Sequence, residues 1–169
     1  GPEEIEAVLF GEDGVVAGMP AGGLVLVMST IDPATAQRVK ARLQTAELRM
    51  LEAPVARPAQ NAVDGTLAIL VGGTEEDLEQ ARPMLECMGS DIVYCGPVGT
   101  AAAMKLVNNM LSNSMLIMTA EALALGRKAG LAGETMYSVL AGTAANSASL
   151  GRIERQAVKS RAFAPGFMV

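Results

Sequence analysis

The feature that most constrains the fold is the run from Thr100 to about Lys128, which holds no proline and no glycine before Gly126. It predicts one helix of about 40 Å at a rise of about 1.5 Å per residue, longer than the usual globular helix. Just before it, Gly96-Pro97-Val98-Gly99 breaks every regular pattern, so a boundary is expected near residue 98. The window from Met104 to Leu125 is the most apolar in the chain. It still contains Lys105, Asn108, Asn109, Asn113 and Glu121, which a membrane span tolerates poorly.

Upstream of that helix, strand-like and helix-like segments alternate. Residues 2–9 read as a short helix and residues 24–29, LVLVMS, as a strand buried on both faces. Asp32 and Pro33 supply an N-cap and a first helical residue for a helix running to about Leu48. Residues 50–55 form a second strand that enters a proline-marked loop, and residues 65–73 a third that ends on two glycines. Thr74-Glu75-Glu76-Asp77 opens another helix, which Pro83 should kink or shorten. Residues 91–96 are a fourth strand. This rhythm predicts an α/β layer with a largely parallel sheet. Shorter helices are expected at 133–140 and 148–160, which makes the second lobe all-α.

Half of the 169 residues are hydrophobic and 18% are charged, enough apolar material for a core. A net charge of −5 argues against nucleic acid or an anionic membrane as partner, and two Tyr, three Phe and no Trp offer little for base stacking. The absence of histidine removes Ser-His-Asp and Cys-His catalysis and histidine-ligated metal sites, so no metal is expected. Cys87 and Cys95 have no metal-binding spacing and read as reduced thiols. The N-terminal residues are acidic and lack a basic signal region, so a soluble, cytoplasmic protein is expected.

Within the long helix, Lys105, Asn108, Asn109 and Ser112 recur at i, i+3, i+4 and i+7 and form one polar stripe. Leu106, Val107, Met110 and Leu111 flank it. The stripe fits either the wet side of a surface helix or the lining of a cleft. Paired asparagines, weak helix formers, favour the cleft. An ammonium, two carboxamides and a hydroxyl offer donors to an oxygen-rich small molecule, and a partly buried lysine can transfer a proton. Arg57, between Ala56 and Pro58 after an apolar strand end, fits either a surface arginine or a fork for an anion. Ser29 and Thr30 stand at another strand end, where open α/β sheets bind ligands. A non-catalytic alternative also fits: eleven methionines and a long small-residue helix suit an interaction module or an oligomer interface.

MSTIDP, EAPVARPAQNAVDGTLAILVGG and MGSDIVYCGPVGTAAAMKLVNNMLS, in that order and spacing, resemble the β-hydroxyacid dehydrogenases of the 3-hydroxyisobutyrate dehydrogenase group. The resemblance implies an NAD(P)-dependent oxidoreductase. Its fold would be the C-terminal half of a Rossmann-type domain (1–98), then a long helix and part of an all-helical substrate and dimerisation domain (99–169). Lys105 matches the family's catalytic lysine and Asn109 its substrate-positioning asparagine. Asn108 and Ser112 match further substrate contacts, and Thr30 a threonine at the cofactor.

The family's loop commonly reads Ser-Gly-Gly where this chain has Ala56-Arg57-Pro58. That departure, with NAVDGTL, Ser112 and the later LAGTAA, is similar to the sulfolactaldehyde-reducing branch, where Arg57, Asn108 and Ser112 would hold a sulfonate. Carboxylate substrates of the 3-hydroxyisobutyrate, 4-hydroxybutyrate or tartronate semialdehyde type are the alternative. Ala101 is a second departure, at a position where the family often has glycine.

The resemblance also implies a Gly-x-Gly-x-x-Gly loop before residue 1 and further helices after residue 169. The segment is therefore expected to be the middle of a longer enzyme, inactive alone and a weak binder of dinucleotide. NADH is favoured over NADPH, and a homo-oligomer, dimer or tetramer, is expected.

Overall fold

The computed structural model describes residues 1–155. It divides into two compact units, Gly1–Val107 and the chain from Asn108 onward.

In the first unit the elements run α1 (Pro2–Phe10), α2 (Val15–Gly18), β1 (Leu24–Val27), α3 (Pro33–Thr45), β2 (Arg49–Glu52), β3 (Val55–Ala56), α4 (Ala59–Val63), β4 (Leu67–Gly72), α5 (Glu75–Glu86) and β5 (Gly89–Gly96). The sheet has five strands in the order β1-β2-β4-β3, with β5 also paired to β4. β1 pairs parallel with β2, and β4 parallel with β5. The two pairs meet antiparallel at Glu52 and Gly72, and β3 continues antiparallel along β4. Ten residues separate Ala56 from Leu67, short of the dozen or more that a parallel crossover requires, so β4 returns antiparallel to β3.

Period-2 alternation sends side chains to two cores. Val25, Val27 and Met50 join Ile5, Leu9, Val39 and Leu43 of α1 and α3. Leu24, Leu26 and Leu51 face Leu78, Ala81 and Leu85 of α5. Burial of the apolar stripes of α1 and α3 on one face and of α5 on the other gives the three-layer α/β arrangement.

Local chemistry sets the ends. The Asp32 carboxylate accepts from the Thr35 N–H at 2.9 Å and caps α3. α3 stops at Thr45, before the expected Leu48, because Glu47 turns into the left-handed region (φ 56°) and the Leu48 N–H returns to the Leu43 carbonyl at 3.0 Å. Thr74 caps α5, which runs through Pro83 to Glu86. Pro83 and the Glu79 carbonyl it would otherwise bond both lie on exposed residues, where water satisfies the freed group.

α6 is a single helix, Thr100–Lys128, and the division between the units falls within it, after Val107. In the second unit α7 (Gly133–Ala141) and α8 (Ala148–Ile153) follow. Their core is Leu123, Met136, Tyr137 and Leu150. The part of the expected 148–160 helix past residue 155 lies outside the described residues, as does the end of the 99–169 lobe. No helix among the described residues is long and apolar enough to cross a membrane.

Candidate active site

α6 carries the four polar residues of the stripe on consecutive turns of one uninterrupted helix. Lys105, Asn108 and Asn109 are half-buried, whereas the apolar flanks Leu106, Val107, Met110 and Leu111 are exposed, Met110 to 72%. Over Lys105, Asn108 and Asn109 ordinary amphipathic burial is thus inverted. Removal from water disfavours the ammonium and lowers the Lys105 pKa below the ordinary lysine value. The Asn108 amide donates to the Asn109 side-chain oxygen at 3.3 Å. Ser112 is exposed, and its hydroxyl donates to the Asn109 carbonyl at 3.3 Å.

Thr30 and Ser29 lie exposed just past the carboxyl end of β1. β3 continues in the direction of β1 and β2, so Arg57 lies on the side toward which their carboxyl ends point, beside the amino ends of β4 and β5. For β1 and β2 it is the carboxyl side, where open α/β sheets receive ligands. Arg57 belongs to the first unit, whereas Asn108, Asn109 and Ser112 belong to the second.

The Arg57 backbone occupies the left-handed region, with φ at 80°. A non-glycine residue there costs about 1–2 kcal/mol, and glycine would cost far less. Its guanidinium is not free. Nη1 donates to the Thr66 carbonyl at 2.8 Å and to the Ser90 hydroxyl at 3.2 Å, and Nη2 donates to the Asp91 carboxylate. Both partners of that ion pair are well exposed, so the pair contributes little to stability.

One residue of this unit escaped the sequence: Glu52, at the end of β2, is only 2% exposed. Its Oε2 accepts from the Gly99 N–H at 2.7 Å, immediately ahead of α6. Burial raises its pKa, opposed by the backbone N–H groups of Gly99, Ala101 and Ala102. The available signal was a carboxylate inside an apolar, doubly covered strand, which must find donors. The turn that delivers them needs glycine at Gly96 and Gly99, with φ of 119° and 103°. Gln37 braces the turn by donating to the Val98 carbonyl. Ala101, the departure from glycine, is fully buried against Gly72, where an added Cβ would approach its own Cβ to 3.1 Å. Cys87 and Cys95 are free thiols, and no metal-binding cluster occurs among the described residues.

Residues 1–96 match the family model described as the NAD binding domain of 6-phosphogluconate dehydrogenase. Residues 99–169 match that of the NAD-binding part of NADP-dependent 3-hydroxyisobutyrate dehydrogenase. The chain is 36% identical over 165 residues to the 3-sulfolactaldehyde reductase of Escherichia coli strain K12, covering 98% of this chain and 55% of that enzyme. It is likewise 36% identical over 172 residues to the NAD-dependent L-serine dehydrogenase of Pseudomonas aeruginosa, covering 98% and 58%. The crystal structure of a 3-hydroxyisobutyrate dehydrogenase from Salmonella typhimurium superposes with a TM-score of 0.82 at 31% identity, over 93% of this chain and 55% of that one. The chain spans about half the length of the curated relatives it matches.

Proposed function

Because this chain belongs to the β-hydroxyacid dehydrogenase family, the 3-hydroxyisobutyrate dehydrogenase group, we propose that it is part of an NAD(P)-dependent enzyme that reduces a short anionic aldehyde to the hydroxy acid. The favoured substrate is 3-sulfolactaldehyde, reduced to 2,3-dihydroxypropane-1-sulfonate. The observation that supports the substrate class is Arg57, a cation held at a left-handed position on the side of the sheet toward which β1 and β2 run. Strain of that kind persists where the side chain has a use that glycine cannot serve.

In this assignment Arg57, Asn108 and Ser112 hold the three-oxygen anion, a fork supplemented by two neutral donors. Asn109 orients the carbonyl. The residues on the β1 edge suit a nicotinamide group: Thr30 is exposed just past the carboxyl end of a parallel strand, the position such cofactors use. When bound, the nicotinamide supplies hydride to the carbonyl carbon. Lys105 then gives a proton to the developing alkoxide and takes it back in the oxidation direction. Its lowered pKa brings the lysine nearer the pH at which both transfers run. NADH is the preferred donor, the working form is a homo-oligomer, and its place is the cytoplasm. Division into residues 1–98 and 99–169 belongs to the same proposal.

The test is kcat/KM of the full-length enzyme on sulfonate and carboxylate aldehydes of equal length. A preference for the carboxylate would replace sulfolactaldehyde by a 3-hydroxyisobutyrate-type substrate, the class to which the name of the superposing crystal structure points.

A further inference from the structure

We propose that Glu52 is a positioning residue for Lys105: bonded to the N-terminus of α6, its carboxylate sets the axial height and rotation at which that helix presents the lysine. This rests on Lys105 being the proton donor.

Helices are usually capped from within their own first turn, by a Ser, Thr, Asp or Asn three residues from the N–H it accepts. Asp32, Thr74 and Ser147 do this in α3, α5 and α8. The bond at α6 differs. Its acceptor stands 47 residues away on the central sheet, so it ties the helix to β2 rather than to itself.

The arrangement is costly by comparison. The side chain is buried, and its Oε1 has no hydrogen-bond partner among the described residues. A local cap would satisfy the same N–H groups without burying a carboxylate. What the distant carboxylate adds is register between helix and sheet. Space is kept clear for it: a Cβ on Gly72 would lie 2.3 Å from Oε2. Val98, Ala101 and Ala102 are buried beside it, so the first turn of α6 seats against a formed surface.

Lys105 follows Gly99 by six residues, about 9 Å along the axis at about 1.5 Å per residue. It lies in the same compact unit as Glu52, two residues before the division. A shift or rotation of the seat is therefore carried rigidly to the lysine. Misplacing a catalytic group by about 1 Å costs about 100-fold in rate.

The experiment is a double-mutant cycle in the full-length enzyme, assayed with NADH and the better of 3-sulfolactaldehyde and methylmalonate semialdehyde. Glu52→Ala is expected to lower kcat about 100-fold with KM changed less than about threefold. Glu52→Gln keeps the volume and an acceptor, so it recovers kcat to within about tenfold of wild type. It also serves as the working variant if Glu52→Ala does not fold. On a Lys105→Ala background either change should lower the residual rate less than about threefold, since the residue through which it acts is gone. Folded Glu52 variants with wild-type kcat, or losses that add in full on Lys105→Ala, overturn the proposal. Full turnover by Lys105→Ala alone defeats the lysine assignment instead, so the two failures are distinguishable.

Discussion

Replacing Arg57 with glycine separates what this residue does for stability from what it does for substrate. Glycine relieves the left-handed backbone at φ 80°, a gain of about 1–2 kcal/mol. Against this stand about 0.5–1 kcal/mol of added chain entropy, about 0.2–1 for the exposed pair with Asp91 and about 1 for the bond to the Thr66 carbonyl. These terms cancel to within about 1 kcal/mol, so the urea midpoint should move by about 1 M or less. Function does not cancel. Loss of charge-assisted bonds worth about 1.5–3 kcal/mol lowers kcat/KM on the anionic aldehyde by roughly 10- to 150-fold. A neutral aldehyde of the same length should lose less than about threefold. Equal losses on both aldehydes, or destabilisation above about 2 kcal/mol, would show that Arg57 is a structural clamp and refute the anion fork.

Asp91→Asn releases the guanidinium from its competitor, and because exposed pairs contribute about 0.2–1 kcal/mol, KM for the anion should fall about 1.5- to fivefold; a rise would mean that Asp91 orients the arginine. The pH profile of kcat should be directional: reduction falls as pH rises through a lysine pKa held below its ordinary value, oxidation rises through the same value, and a profile without that limb would remove Lys105 from proton transfer. The same depression makes the lysine's stability contribution present above its unfolded pKa and lost as pH falls through the folded one. Arg49→Ala strips the partner, 2.6 Å away, from the buried Asp77 carboxylate and should cost about 2–3 kcal/mol in urea titrations, where a loss under about 1 kcal/mol would show that the N-terminus of α5 satisfies Asp77 alone.

Much of the fold was legible because local rules and tertiary packing agree. Asp32 and Thr74 cap where their sequence contexts say, and the long helix runs from Thr100 to Lys128 as its freedom from breakers predicts. The parallel character of the sheet was read from its α/β rhythm, but the reversal where β2 meets β4 was not. Pro58 marks the turn after β3, yet that β2 also lines up along β4 depends on contacts that periodicity does not encode. Pro83 does not end α5 at once, since the helix runs on to Glu86 and its exposed position leaves the carbonyl it cannot bond open to solvent. At the candidate site, spacing found the stripe on α6 but not its inverted burial, which depends on what packs against it. Glu52 was invisible for a related reason: its donors come from a turn 47 residues later. The left-handed backbone of Arg57 and its bond to Asp91 are likewise tertiary facts.

Proton transfer by Lys105 is read most directly from single-turnover reduction by full-length Lys105→Ala at saturating NADH and aldehyde. NADH binding and thermal unfolding are expected to stay close to wild type, with the hydride-transfer rate reduced about 100- to 10,000-fold. A rate within about threefold of wild type would remove Lys105 from proton transfer and return the polar stripe of α6 to a structural role.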